Sequence, residues 1–183
     1  MFKRFSVDEN IASHSQVKSS QQRAIRSSIL TQYPEVEPYL EQLLPKKAPM
    51  IVAKCHNHLQ LVLHDGIPLF FNYRDGPFMP TLKVLHQIPK AMQWVRADKG
   101  AIPFVLSGAN VMCPGLTSKG GELPTNEIPA GTPVAIMAEG KELAMAIGVL
   151  TLSTREIKEQ NKGIGIELMH FIGDELWTCP PIR

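Results

Sequence analysis

Asp98-Lys99-Gly100-Ala101-Ile102-Pro103-Phe104-Val105-Leu106-Ser107-Gly108-Ala109-Asn110-Val111-Met112-Cys113-Pro114-Gly115-Leu116 is the stretch whose reading decides the fold. Asp98 is a helix-capping type, able to accept hydrogen bonds from the free amides of a first turn. Ala101, Val105 and Gly108 follow at helical spacing, with Ile102 and Leu106 beside them, which makes an apolar stripe. Pro103 lies early in this short helix, where a missing N–H costs little because first-turn amides have no intrahelical partner. Gly108 is the expected stop, since glycine takes the left-handed conformation past a last turn. A short extended run then leads to Pro114-Gly115, which reads as a turn. The pattern predicts a brief helix between two glycine turns, placing backbone amides at a surface that another chain can approach.

Downstream, residues 117–132 read as a polar loop rich in glycine and proline. Pro133–Ala138 and Leu143–Leu150 read as strands joined by Glu139-Gly140-Lys141. Ser153-Thr154-Arg155-Glu156 is a capping box, in which side chains at both ends satisfy each other's amides, so a short helix is expected. Gly163 ends it, and Ile164–Ile172 alternates as a final strand. A strand around Trp94–Arg96 precedes the opening helix, so strands dominate this half.

Upstream, residues 1–14 are polar and unpatterned. Ser15–Gln32 predicts a helix with Ile25 and Ile29 toward its apolar arc and Arg23 and Arg26 pointing elsewhere. A second helix is expected near Glu35–Leu44. Met50–Lys54, Leu59–Leu63 and Leu69–Tyr73 are β-rich runs, two of them separated by the hairpin signal Asp65-Gly66. Pro80–Gln87 reads as one more helix. The fold class expected is therefore α+β, a mixed domain over 1–91 followed by a strand-dominated domain over 92–183.

Composition narrows the function. The chain has 183 residues, 44% of them hydrophobic, which is enough for a packed core. Its net charge of +2 gives no globally basic footprint, so contact with nucleic acid must come from local clusters of lysine and arginine. Three scattered cysteines, Cys55, Cys113 and Cys179, suit reduced thiols and a cytosolic address better than a disulfide framework. No run has the length of a membrane span, and Lys3-Arg4 is followed by no apolar signal core.

The order Gly108-Ala109-Asn110 then Pro114-Gly115 after a helix resembles the PUA domain, a small RNA-binding β-barrel. The longer strings Asp98–Ser118, Val134–Val149 and Asn161–Glu167 are more specific. With Met1-Phe2-Lys3, Pro45-Lys46-Lys47 and Asp174-Glu175-Leu176-Trp177, they resemble the malignant T-cell-amplified sequence family along nearly the whole chain. The resemblance implies an N-terminal domain joined to a PUA-type β-barrel with short helices. It implies a non-enzymatic translation factor on the small ribosomal subunit, with roles in reinitiation, post-termination tRNA release and recycling, and non-standard initiator tRNA delivery. The partner it implies is density-regulated protein, which carries a SUI1-type domain; tRNA or ribosomal RNA is the nucleic acid, and neither DNA nor a membrane is expected.

Carried over to this sequence, the family's RNA groove implicates Lys99, Gly108, Ala109, Asn110, Pro114 and Gly115. Lys119 and Lys162 lie in loops that a barrel would bring to the same side. Glycines there let backbone amides approach phosphate or ribose, although turn geometry alone also explains them. Asn110 has two readings, a hydrogen bond to a base edge or a local cap. Lys18, Arg23 and Arg26, with Lys46-Lys47, offer a surface for ribosomal RNA phosphates, set against an ordinary solvated face. Phe78 is a candidate anchor for a partner chain, and Phe104 becomes one if it is exposed.

No cofactor motif is present: none of the glycines falls in a phosphate-loop or dinucleotide pattern. Cys55, His56, His58 and His64 are the one cluster of metal-ligating types, but on a strand His56 and His58 face away from Cys55, so no site is expected. Cys113, His86 and His170 form no local nucleophile–base signature. The rival readings are an RNA-modification enzyme or its accessory subunit, and a plain protein adaptor.

Overall fold

The structure is a computed structural model describing residues 1–183. The chain forms two compact units, and neither is one continuous segment: Phe5–Ala91 with Thr178–Arg183, and Met1–Arg4 with Met92–Trp177. The sequence boundary near residue 91 left both chain ends with their neighbours. Instead, Phe2 is fully buried and packs edge-on against His170, with ring centroids 5.8 Å apart. At the other end, Ile182 N–H donates to Gly66 O at 2.8 Å.

The unit built on Phe5–Ala91 opens with α1 (Val7–Asn10), β1 (Ile11–Gln16) and α2 (Ser19–Gln32). A 3-10 turn at Pro34–Val36 runs into α3 (Glu37–Leu43). Then come β2 (Ile51–Cys55), β3 (Leu59–His64), β4 (Ile67–Tyr73), β5 (Met79–Pro80) and α4 (Leu82–Gln87). The five strands pair antiparallel in chain order, β1 to β5. β4 is buried at five successive positions, Pro68 to Asn72, rather than at alternate ones, so both faces of the sheet are covered there.

β1 corrects the expectation of an unpatterned leader and shortens the predicted first helix. It is an edge strand with no fully buried residue, so it shows no apolar alternation and is specified by pairing with β2. His56-Asn57-His58 also departs from the strand reading. It is a tight turn with Asn57 and His58 at φ +63° and +62°, so facing arguments based on strand alternation do not apply.

The other unit contains β6 (Trp94–Ala97), α5 (Ile102–Val105), β7 (Val111–Met112), α6 (Cys113–Thr117), β8 (Pro133–Ala138), β9 (Ala144–Leu150), α7 (Thr154–Gln160) and β10 (Ile164–Phe171). Strand order is β6-β8-β9-β10-β7, with β6 and β8 parallel and the other pairs antiparallel. The sheet curls, and residues 113–122 close the gap between its outer strands. Arg96 and Glu122 exchange backbone hydrogen bonds of 2.9 Å, and Asp98 N–H donates to Gly115 O at 2.8 Å. Val95, Val111, Leu116, Ile136, Ile157 and Ile166 fill the interior. The Ser153–Glu156 capping box is present in both directions, at 3.0 and 3.1 Å. Pro114-Gly115 is not a simple turn: proline occupies the first turn of α6, where its fixed φ suits a helix start. No helix is long and apolar enough to cross a membrane.

Candidate nucleic-acid interface

The candidate RNA residues fall into two groups, set apart along β10. The first surrounds α6. Asp98 ties its far end to α5, with Oδ1 accepting from Ala101 N–H at 2.9 Å and Oδ2 accepting from the Ser118 hydroxyl. Gly115 lets the two helices close: a Cβ built there lies 3.3 Å from Ala101 Cβ. Gly121 permits the following loop to lie on α6, since a Cβ there would stand 2.7 Å from the Leu116 carbonyl atoms.

Three lysine-bearing segments converge on this helix. Lys99 is exposed, and its N–H donates to Glu139 Oε2 at 2.6 Å. Gly120, at φ +96°, abuts the same carboxylate so closely that any Cβ would overlap it. Glu139 thereby fixes both the Lys99 turn and the Lys119 turn. Lys162 follows Asn161, a left-handed residue at φ +46° whose side chain meets the Thr117 hydroxyl. On the other side of Lys162, Gly163 O accepts Cys113 N–H at 2.9 Å. Lys99, Lys119 and Lys162 are exposed, as is Pro114.

The second group lies toward the other end of β10, whose eight residues span roughly 25 Å at the usual rise per residue. Gly108 has φ +96°, and a Cβ there would approach Lys3 Cδ at 3.0 Å and Phe171 Cε1 at 3.5 Å. Lys3 therefore belongs to this face, from a position that gave no local sequence signal. Ala109 is exposed. Phe104 is 66% exposed, the branch in which an aromatic is available for contact. Ile102, Leu106, Leu143, Met145 and Ile172 line an adjacent apolar groove.

Asn110 connects the groups structurally. Its Oδ1 accepts Leu168 N–H of β10 at 2.9 Å, so the side chain pins β7's approach to a distant strand rather than capping its own turn. That bond occupies one of the two lone pairs of its carbonyl oxygen.

On the other unit, Lys18 and Arg23 are exposed, but Arg26 is 8% exposed, which corrects its outward placement. It reaches across to Glu41 at 3.2 Å, a residue on α3 that helical periodicity within α2 gives no hint of. Phe78 is half-buried, and its carbonyl accepts the Tyr33 hydroxyl. Phe78 and Phe104 thus belong to different units.

The Cys55 and Cys113 thiols are buried, as is the His170 imidazole. Burial pushes the Cys55 thiol up to about 11 and raises Cys113 as well. His170 is buried with its Nδ1 2.7 Å from Asp174 Oδ2, and that carboxylate also accepts Phe171 N–H at 3.0 Å. This arrangement braces the end of β10.

A family model described as "Pre-PUA-like domain" matches residues 5–89, and one described as "elF2D, PUA domain" matches residues 93–175. The chain is 52% identical over 184 residues to "Malignant T-cell-amplified sequence 1 homolog" of Drosophila melanogaster, covering all of both chains. A hypothetical protein of Pyrococcus horikoshii OT3 has a similar solved structure, with TM-score 0.70 and 24% identity over 91% of this chain and 98% of that one. A PUA domain protein of Thermoplasma acidophilum superposes with TM-score 0.63 and 19% identity, again over 91% and 98% of the two chains. The curled second sheet with its short helices is thus a PUA fold.

Proposed function

Because this chain belongs to the malignant T-cell-amplified sequence family, we propose that it is a non-enzymatic translation factor of the cytoplasm that binds the small ribosomal subunit. The observation that carries this reading is the convergence of Lys99, Lys119 and Lys162 around α6. Glycine-bounded turns there bring backbone close to the surface. Cations beside close-approaching backbone suit an RNA backbone, because phosphate contacts position a nucleic acid without reading its sequence. The match to a PUA domain described for elF2D supports a role in translation.

In this reading Pro114, Gly115 and the three lysines hold RNA phosphates of tRNA or ribosomal RNA. Gly108, Ala109 and Lys3 extend the track along β10, and the free amide of Asn110 contributes at its middle. The tasks are reinitiation, release of deacylated tRNA after termination, and non-standard delivery of initiator tRNA. Each is performed by holding or displacing tRNA, with no bond made or broken. Density-regulated protein, through its SUI1-type domain, is the partner, and exposed Phe104 with half-buried Phe78 supply apolar anchors for ribosome or partner. The protonated, buried state of Cys55 and Cys113 accords with a binding role, since a nucleophilic cysteine acts as thiolate.

Sedimentation with purified small subunits tests this. The wild-type protein should travel with the subunit, and Lys99→Glu with Lys162→Glu should weaken association about tenfold at moderate salt. Unchanged association in that variant would count against the α6 face.

A further inference from the structure

The Phe5–Ala91 unit contains a basic cleft unlike the lysine-ringed face, built from the first two turns of α2 and the loop after α3. Ser19, Gln22, Arg23, Arg26 and Lys46 line it, so three cations meet there. The same three cations border a neighbouring cleft with Glu37 and Glu41, which offsets part of their charge.

Arg26 is the unusual member. Its side chain is nine-tenths buried, its Nη2 donates to Glu41 Oε2 at 3.2 Å, and its buried Nη1 has no protein acceptor. A buried charged donor without an acceptor is costly, because the energy of removing it from water is not returned. The surroundings hold it in place. Glu41 uses its other oxygen to accept Lys46 N–H at 3.1 Å, and Gln22 Nε2 spans the carbonyls of Pro45, Lys46 and Ala48 at 3.3 Å each. The loop carrying Lys46 is therefore set relative to α2 before any ligand arrives.

From this geometry we infer that the cleft is a phosphate-binding site whose ligand is a backbone phosphate of RNA. A phosphate oxygen supplies the acceptor that Nη1 lacks once the guanidinium turns toward the cleft mouth, and Arg23 and Lys46 neutralise the remaining charge from the rim. The choice of RNA over an acidic protein rests on the character of α2. Between Ser19 and Gln32 it has no acidic residue and presents Ser19, Ser20, Gln21, Arg23, Ser27, Thr31 and Gln32 to solvent. Hydroxyls, amides and cations are the groups that contact phosphates. A protein-binding hot spot needs large aromatic or aliphatic anchors, and α2's exposed face has none. The inference deepens the proposed function by adding a second RNA contact on the other unit.

The test uses the full chain with nitrogen-labelled arginine, following guanidinium resonances by NMR. Inorganic phosphate, a short oligouridylate RNA and a polyglutamate peptide are added separately. Phosphate and the RNA should both move the Arg26 resonance. In Arg23→Glu with Lys46→Glu, whose parent side chains are exposed, the unfolding temperature should hold while the response vanishes and RNA affinity falls about tenfold. An Arg26 resonance unmoved by phosphate and RNA overturns the inference, as does one moved by polyglutamate alone or one whose RNA response survives the double charge reversal. Small-subunit sedimentation is scored independently. Its absence, with the Arg26 response intact, would sink the translation-factor reading and leave the phosphate site standing.

Discussion

The two basic regions are made by opposite means. Around α6, backbone geometry comes first: glycines at 115, 120 and 121 let three segments close on one short helix, and exposed lysines ride on those segments. In the α2 cleft a side chain comes first: Arg26 is buried, braced by Glu41 and left one acceptor short. The first design tolerates the loss of any one lysine but not a change in backbone packing. The second puts its specificity into a single guanidinium. Shape-built and charge-built surfaces should therefore fail differently when altered.

The largest effect expected is at Gly121. Gly121→Val places side-chain atoms against the Leu116 and Gly115 carbonyls, so it should destabilise the protein by about 2–3 kcal/mol, as overpacking does, and displace the Lys119 turn. Chemical denaturation measures the first effect and RNA binding the second. A variant of wild-type stability would show that the α6 face is not held by close backbone packing.

Arg26→Met should behave in the opposite way. It removes a buried charge whose hydrogen bonding is incomplete and leaves Glu41, itself 63% exposed, to water. Stability should stay within about 1 kcal/mol of wild type or rise, because replacing a buried ion by an apolar side chain is often neutral or favourable. Binding of phosphate should be lost. A loss of several kcal/mol would mean that Arg26 is a structural pillar, and the contrast between the regions would collapse.

Tyr33→Phe probes the unit that carries the cleft without touching it. It leaves the Phe78 carbonyl without the phenol donor and should cost about 1 kcal/mol. RNA affinity should not change.

The smallest effect is acid-dependent and belongs to the PUA unit. Hydrogen bonds from the Ser153 backbone and hydroxyl hold the Glu156 carboxyl below its usual range. A depressed carboxylate contributes stability that is fully present above its unfolded pKa and is lost as pH falls through the lower folded value. Ser153→Ala should cost about 0.5 kcal/mol at neutral pH and flatten this part of the acid limb. An unaltered acid limb would show that the capping box contributes nothing to the pH dependence.

Local signals carried much of the fold into the sequence. Asp98, Gly108 and the Ser153–Glu156 box are read from a few neighbouring residues; the box acts within its own turn, while Asp98 also accepts from Ser118. What was illegible depends on distant partners. β1 is an exposed edge specified by β2, with no apolar period of its own. Arg26 looks like a surface residue on α2 until Glu41 of α3 is placed beside it. Lys3 meets Gly108 across more than half the chain. From its spacing Asn110 reads as a cap or a base reader, and Leu168 of β10 supplies a third role that spacing does not disclose. The lysines were visible as types, but their grouping around α6 depends on Glu139, Asn161 and Gly163, each tied to it by a contact made only on folding.

The most direct measurement is the salt dependence of small-subunit association for the wild-type chain and for Lys99→Ala/Lys119→Ala/Lys162→Ala. If these lysines contact RNA phosphates, each loss removes roughly one unit from the slope of log affinity against log salt, so the slope should shallow by about two to three. An unchanged slope in the folded triple variant would contradict the account, because these side chains would then lie outside the RNA contact.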